Sequence, residues 1–297
     1  APHPHPPLPD LTVRQLEYLE AITRSPTWAA AAESLGVTPS ALSQGIAELE
    51  RRLGLPLFRP EGRRRVPTEL AGPVIDHATR VLAQTRDLTS WATAARAGRA
   101  GRVRLGMIDA AAVHHFPEVL RAFRGDHADV ELRLEVAPSS ALLGGLRRDD
   151  LDLAVCVAPD PRPDDLHLTP LVPEPLAVYG PHSPPPRDPA RWGPWVLFPT
   201  GSHTRALVER SLRELGAPVE VVAESHQPEV LREMVRIGLG WSVLPVAGAE
   251  RDPHPLVRAR RRPLVDRELV AARRVDAIAD PAVDALLAVL RAAVHSR

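Results

Sequence analysis

The opening part of the chain alternates apolar positions at helical spacing with short breaks. Leu16, Leu19 and Ile22 fall on one side of a helix, and Thr12 with Gln15 three positions later forms a capping-box pattern, which predicts a helix running to about Arg24. Ser25-Pro26 ends it. Thr27 can cap a second helix, the short alanine-rich WAAAAESL, which stops at Gly36. Val37 makes the turn, and Thr38 caps a third helix with Pro39 in its first turn, where a missing N–H is harmless. At about 100° per residue, Leu42, Ile46, Leu49 and Leu53 of that helix share one sector, while Ser40, Ser43, Gln44, Ala47 and Arg51 project from the other side.

Small hydroxyls, one amide and one guanidinium on a solvated face suit close approach to base edges and phosphates in a major groove. Any amphipathic surface helix needs a polar face for solvation alone, so the flanking sequence has to decide. After Gly54, LPLFRPEGRRRVPT predicts two short extended pieces around Glu61-Gly62, with Arg59, Arg63, Arg64 and Arg65 crowded at the tip. A wing of this kind fits the DNA backbone, because each neutralised phosphate releases counterions and Arg can fork two hydrogen bonds to it. Clustering carries that inference and total charge does not: residues 11–70 hold eight Arg against seven Asp plus Glu.

Leu70, Val74, Ala78, Val81, Thr85, Leu88, Ala92 and Ala95 then follow alternating steps of four and three, with no proline after Pro73 until the C-terminal part of the chain. They predict a helix over 68–97, about seven turns long, with one apolar seam. Cover for the seam must come either from a second helix of a partner copy or from the chain's own C-terminal part. The glycines of AGRAGR, residues 97–102, predict a hinge.

Beyond the hinge the periodicity alternates between two and 3.6. VRLGMI begins a strand, HFPEVLRAFRGDH is helical, VELRLEV is a strand, ALLGGLRRDD a helix and LDLAVCV a buried strand. A second series follows: LAVYG, WVLF, a helix from Thr204 to Leu215, VEVV, a helix near 228–238, WSVLP, a strand-like stretch around 262–275, and the amphipathic closing helix DPAVDALLAVLRAAV. Strands alternating with helices imply parallel sheets, and two lobes joined by two crossing strands accommodate both series. In such sheets a ligand lies beyond the carboxyl ends of the strands, near helix N-termini. Three places qualify: Ile108-Asp109-Ala110, Pro138-Ser139-Ser140, and Gly201-Ser202-His203-Thr204. Ser and Thr there also serve as ordinary helix caps. His203, Arg205 and His226 add cationic character that favours a carboxylate, whereas Asp109 favours an amino group. An amino acid satisfies both, and an aromatic or sugar-derived acid stays open.

Composition narrows the alternatives. The chain has 297 residues, 44% hydrophobic and 25% charged, with thirty-seven basic against thirty-seven acidic side chains, so two or three folding units are expected and no global charge marks a nucleic-acid binder. Every basic side chain is Arg, and the chain has neither Lys nor Asn. The single Cys156 excludes an internal disulfide and sits in an apolar run as a small buried hydrophobe. The Pro-rich opening with His3 and His5 predicts an extended, disordered tail, and a metal site there lacks a third ligand. With neither an eighteen-residue apolar run nor an export signal in view, a cytoplasmic protein is expected. Catalysis is not expected: His114-His115 has no carboxylate at triad spacing, Ser202-His203 are adjacent, and no phosphate loop or metal cluster occurs. A solute-binding protein would need export and would have no use for a wing, and a structural nucleoid protein would lack the two lobes.

RQLEYLEAI followed by AAAAESLGVTPSALSQGIAELERRLGLPLFRPEGRRRVPTELAG resembles the N-terminal signature of LysR-type transcriptional regulators almost position by position, VTPSALSQ being its most specific piece. PTGSHTRALVERSLRELG and IGLGWSVLP are similar to the same family's second lobe. Trp28 stands where the family commonly has Phe, and Gly45 where it has a longer polar residue, a change expected to cost the helix up to ~1 kcal/mol and one DNA contact. The resemblance implies an α plus α/β protein: a winged helix-turn-helix, a long linker helix and a two-lobed, periplasmic-binding-protein-like α/β effector domain. The boundaries expected are a tail at 1–10, the DNA-binding domain at 11–67, the linker and dimerisation helix at 68–97 and the hinge at 98–102. Lobe I is expected at 103–173 with 264–297, and lobe II at 174–263. It implies DNA contacts from Thr27, Thr38, Pro39, Ser40, Ser43, Gln44, Arg51, Arg63, Arg64 and Arg65. It also brings Ile108, Asp109, Ala110, Ser139, Ser140, Gly201, Ser202, His203, Thr204 and His226 to one cleft for a small-molecule effector. No cofactor or metal is expected; the partners expected are double-stranded operator DNA, the effector, a second copy through the linker helix (as a dimer or tetramer) and RNA polymerase.

Overall fold

The computed structural model describes residues 10–61, 64–97, 101–181 and 184–295. The expected tail at 1–9, Gly62 and Arg63 of the wing, and hinge residues 98–100 lie outside these, as does the side chain of Ala95. Two compact units follow one another, residues 1–90 and 91–297.

In the first unit the local signals set the helix ends. Helix α1 (Val13–Arg24) closes its capping box in both directions: the Gln15 amide donates to Thr12 Oγ1 at 3.2 Å and the Thr12 amide to Gln15 Oε1 at 3.0 Å. The hydroxyls of Thr27 and Thr38 accept from Ala30 and Ala41, both at 3.1 Å, and start α2 (Trp28–Ser34) and α3 (Pro39–Leu53). Gly54 ends α3 in the left-handed region, φ 67°, which costs a glycine little. Strands β1 (Phe58–Glu61) and β2 (Arg64–Pro67) pair antiparallel. Leu16, Leu19, Ile22, Leu42, Ile46, Leu49 and Leu57 form the buried core.

The long helix α4 spans Ala71–Ala97, starting three residues later than expected. Thr68 is taken up in closing the wing: its amide donates to the Leu57 carbonyl at 2.9 Å and its hydroxyl to that of Pro56 at 2.8 Å. The apolar side of α4 differs too. Ala71, Ala78 and Leu82 are buried in the core of this unit, whereas Leu70 and Leu88 of the expected seam are 49% and 55% exposed. The N-terminal half of α4 is thus claimed by the winged unit, and a straight 3.6-residue period carries the buried side from Ala71 through Ala78 to Leu82. Arg86 adds an ion pair of 2.5 Å to the buried Glu20 of α1.

The second unit holds a six-stranded mixed sheet. Its strands are β3 (Arg102–Met107), β4 (Glu131–Val136), β5 (Leu153–Val157), β6 (Leu166–Tyr179), β9 (Ser242–Pro245) and β10 (Val265–Arg274), in the order β4-β3-β5-β10-β6-β9. β3 pairs parallel with β4 and β5; β10 runs antiparallel between β5 and β6. Strands β7 (Trp195–Leu197) and β8 (Val221–Glu224) form a separate parallel pair. A π-helical turn (Ala111–His115) leads into α5 (Pro117–Asp126); α6 (Ser139–Arg147), α7 (His203–Glu214), α8 (Pro228–Arg236), the short α9 (Val246–Ala249) and α10 (Pro281–His295) complete the unit.

The first core packs β3, β5, α5, α6 and α10, with Cys156 fully buried and its thiol pushed up to about 12 by that burial. The second core gathers Trp192, Trp195 and Trp241 on one side of the second lobe and Tyr179, Phe198 and Leu231 on the other. β6 passes from one core to the other: Leu166 and Leu171 belong to the first, Leu176 and Val178 to the second. β10 does the same, with Leu269–Ala272 in the first and Val265 against the second. The early part of β6 was not among the expected strands, where the series begins at LAVYG, and it carries Pro170, Pro173 and Pro175. They are tolerated because β9 pairs with β6 only from Leu176 onward, so one side of residues 166–175 carries no ladder that a missing N–H would interrupt.

Candidate DNA interface and effector cleft

Ser40, Gln44 and Ala47 are exposed on α3 and Ser43 is half-buried, while Leu42, Ile46 and Leu49 on the reverse are fully buried. Thr27, Thr38 and Pro39 are exposed at the starts of α2 and α3, so the two capping threonines keep a solvent side. Arg51 is exposed and already forked onto Glu48, with contacts of 2.7 and 2.5 Å; Arg52 donates to the same carboxylate at 2.6 Å. These two guanidinium groups hold the Glu48 carboxyl down at about 2. A phosphate would have to draw Arg51 away from that partner.

Gly45 is not on the free face. An added Cβ there would stand 2.4 Å from the ring of Tyr18, so the glycine makes room for α1.

The wing is held from two sides. Glu50 of α3 accepts from the amides of Leu57 and Phe58 at 2.7 and 3.0 Å. Trp28 meets Phe58 edge-on with centroids 5.1 Å apart, and the Arg65 guanidinium lies over the Trp28 ring at 5.1 Å. Arg64 and Arg65 remain exposed on β2. Glu50 was missed in the sequence, because nothing local tells an acid that accepts two backbone amides from an acid that faces water.

In the second unit every expected ligand segment follows a parallel strand, as open α/β sheets require. Ile108 and Ala110 are buried after β3. Asp109 between them is half-buried, and its Oδ1 is a buried oxygen without a hydrogen-bond partner among the described residues. Ser139 Oγ accepts from the Val157 amide at 3.2 Å, pinning the start of α6 to the end of β5; Ser140 is exposed. Ser202 caps α7 by accepting from the Arg205 amide at 3.3 Å; Gly201 and His226 are exposed and His203 is half-buried. Arg205 supplies no free cation: it is buried, bound to Glu209 at 2.6 Å, Glu224 at 2.9 Å and the Phe198 carbonyl at 2.7 Å.

Thr204 is buried and accepts a 2.8 Å hydrogen bond from Arg267 of β10. Arg267 also binds Glu174 of β6 through Nε at 2.6 Å and Nη2 at 2.5 Å, and Glu174 meets His115 Nε2 at 2.7 Å. Burial pushes the Glu174 carboxyl up, and Arg267 and His115 more than offset this, holding it below the ordinary range. A second contact between the lobes lies beside the π-turn, where His114 packs so close to Gly248 that an added Cβ would be 2.9 Å from its Nε2. Burial, then Arg251, lowers the His114 pKa. A small pocket there is lined by Ala110, His114, Glu229, Arg232, Pro245 and Gly248, among others. The charged residues of both contacts escaped the sequence reading, although Arg267 falls in the inward phase of β10 with the buried Leu269 and Ala271, a phase where a charge is unusual.

The two units match known families in the same order. Residues 13–71 match the bacterial regulatory helix-turn-helix protein, lysR family, and residues 96–295, two thirds of the chain, match the LysR substrate binding domain. The chain belongs to the LysR family of transcriptional regulators. Among curated relatives it is similar to the HTH-type transcriptional regulator CbbR of Rhodospirillum rubrum, 28% identical over 237 residues that span 78% of each chain. Among solved structures it resembles ArgP from Mycobacterium tuberculosis, with a TM-score of 0.67, 23% identity and coverage of 96% of this chain and 98% of that one. It also resembles the full-length regulator LysG from Corynebacterium glutamicum with bound effector Arg, with a TM-score of 0.60, 18% identity and coverage of 96% and 99%. This LysR regulator is a DNA-binding transcription factor with an effector-binding domain; its relatives are regulators and not enzymes. LysR regulators bind operator DNA and effector ligands and form oligomers. Among the described residues no helix is long and apolar enough to cross a membrane.

Proposed function

We propose that this regulator reads its operator with Ser40, Ser43 and Gln44 of α3 and grips the flanking phosphates with Thr27, Thr38, Arg64 and Arg65. The observation that carries this is the division of α3 into an outward polar face and a fully buried Leu42-Ile46-Leu49 back. Arg51 joins the phosphate set by exchanging Glu48 for DNA, and Arg63 belongs to the same arginine cluster in the sequence. The exposed Leu88 on α4 supports pairing of two copies through that helix, which would space two winged units over two half-sites. Such a dimer, or a tetramer built from it, would work in the cytoplasm and pass its signal to RNA polymerase.

The test uses DNA selected by the wild-type protein from a random-sequence pool. Ser43→Ala and Gln44→Ala are expected to lower the preference for selected over random DNA by roughly tenfold each. Arg64→Ala is expected to weaken both kinds of binding and to flatten the dependence of log K on log salt by about one unit. Equal losses on both DNAs in all three variants would contradict the division between base reading and backbone grip.

The effector we propose is a small molecule carrying both a carboxylate and an amine, an amino acid in the simplest case. Support comes from the N-terminus of α7 at Ser202–Thr204, which favours an anion, and from the unpartnered Asp109 oxygen, which favours a donor. Ile108, Ala110, Ser139, Ser140, Gly201, His203 and His226 complete the proposed lining. A thermal-shift screen of the full chain against amino acids, with their deaminated and decarboxylated analogues alongside, is expected to raise the melting temperature only where both groups are present. Stabilisation by the simple acids alone would overturn the amine assignment.

A further inference from the structure

The turn that follows the Ile108-Asp109-Ala110 segment in the first lobe and the start of α7 in the second are joined through the crossing strands by a continuous chain of buried polar contacts. His115 ends the π-turn that follows Ile108-Asp109-Ala110 in the first lobe; Glu174 and Arg267 face each other in register on β6 and β10; Thr204 opens α7 in the second lobe. The links are 2.7 Å from His115 to Glu174, 2.5 and 2.6 Å from Glu174 to Arg267, and 2.8 Å from Arg267 to Thr204. All four residues are at most 8% exposed. The Arg267 guanidinium also lies over the Phe198 ring at 5.7 Å, so the same side chain steadies the segment leading to α7.

We infer that His115-Glu174-Arg267-Thr204 is a strut that fixes the angle between the two lobes of the effector domain, with Thr204 as its releasable end. The position of each residue assigns its part. Glu174 and Arg267 sit on strands that run through both cores and cannot move independently of either. Thr204 sits on a segment that a ligand would displace, and His115 ends the turn that follows another. An anion seated at the start of α7 competes with Thr204 for Arg267, because its oxygens offer the guanidinium a charged acceptor where the hydroxyl offers a neutral one. Giving up Thr204 then frees Arg267, Glu174 and His115 to readjust together, which carries the event to the π-turn of the other lobe. Arg267, Glu174 and His115 are therefore positioning residues. The ligand part of this inference rests on the effector cleft proposed above; the mechanical link between Thr204 and the π-turn does not.

Hydrogen exchange on the full-length chain without added ligand separates the two. Thr204→Val keeps the shape of the side chain and removes the hydroxyl. It is expected to speed amide exchange across Ala111–Phe116, in the opposite lobe, by roughly tenfold, while Thr204→Ser exchanges like wild type and α3 is unmoved in both. Arg267→Lys, which keeps the charge but not the fork, is expected to show the same remote effect and serves should Thr204→Val fail to fold. A change confined to residues 198–208, or none at all, would overturn the strut. Remote coupling in these variants together with no stabilisation by any compound in the thermal-shift screen would instead retain the strut and remove the proposed effector.

Discussion

Replacing Arg267 with methionine is expected to cost the C-terminal unit about 3–5 kcal/mol, the range seen when one partner of a buried ion pair is removed. Methionine fills similar space but leaves Glu174, whose side chain is 1% exposed, with His115 as its remaining neighbour. Urea unfolding followed by tryptophan fluorescence measures this, because Trp192, Trp195 and Trp241 are all buried in this unit. Adding Glu174→Met to Arg267→Met is expected to recover part of the loss, since two apolar side chains leave no stranded charge. The pH dependence should also change sign. In the wild type Glu174 is held below the ordinary carboxylate range, so its contribution is complete above that range and is lost as pH falls through the folded-state value. Without Arg267, burial dominates and raises the carboxyl, so acidification should stabilise the variant. A single variant within 1 kcal/mol of wild type would show that the pair is not desolvated in solution.

Ile46→Ala is expected to destabilise the winged unit by about 2–5 kcal/mol and to abolish DNA binding well below the melting temperature of the wild type. Ile46 is fully buried in the core of the winged unit, where α3 packs against α1 and α2, and the unit is small, so one such cavity removes much of its stability. Gln44→Ala, two positions away on the exposed face, is expected to change stability by less than about 0.5 kcal/mol while altering DNA choice. Calorimetry of the full chain with binding measured at two temperatures distinguishes them. An Ile46→Ala protein that melts and binds like wild type would mean that α3 is not anchored through this face.

The winged unit was legible because its signals are local. Thr12 with Gln15, Thr27, Thr38 with Pro39, and Gly54 each act within one turn, and each ends or begins a helix where expected. The strand β6 was legible only in its last residues, since Pro170, Pro173 and Pro175 are allowed by a neighbour that happens to be absent on one side, a fact of topology and not of composition. The stripe of α4 that packs into its own unit was not separable from the expected seam: the two share Val74, Ala78 and Val81, and only the tertiary contact shows that Ala71 and Leu82 are buried while Leu70 and Leu88 stay exposed. Of the cleft, the strand ends could be read directly. Glu174 and Arg267 lie 93 residues apart and are brought opposite each other by the register of the crossing strands, which no local pattern encodes.

Glu50 gives the DNA-binding unit an unusual economy. Because one carboxylate on α3 carries both amides at the entrance to the wing, the helix proposed to choose bases and the wing proposed to hold the backbone turn as one piece. A mutation that tilts α3 to favour a new operator will drag the arginines of β2 along the duplex with it. On that reading, new sequence preferences in this protein should arrive with altered phosphate contacts beside the half-site, and recovering the original contacts would require first cutting that shared tether.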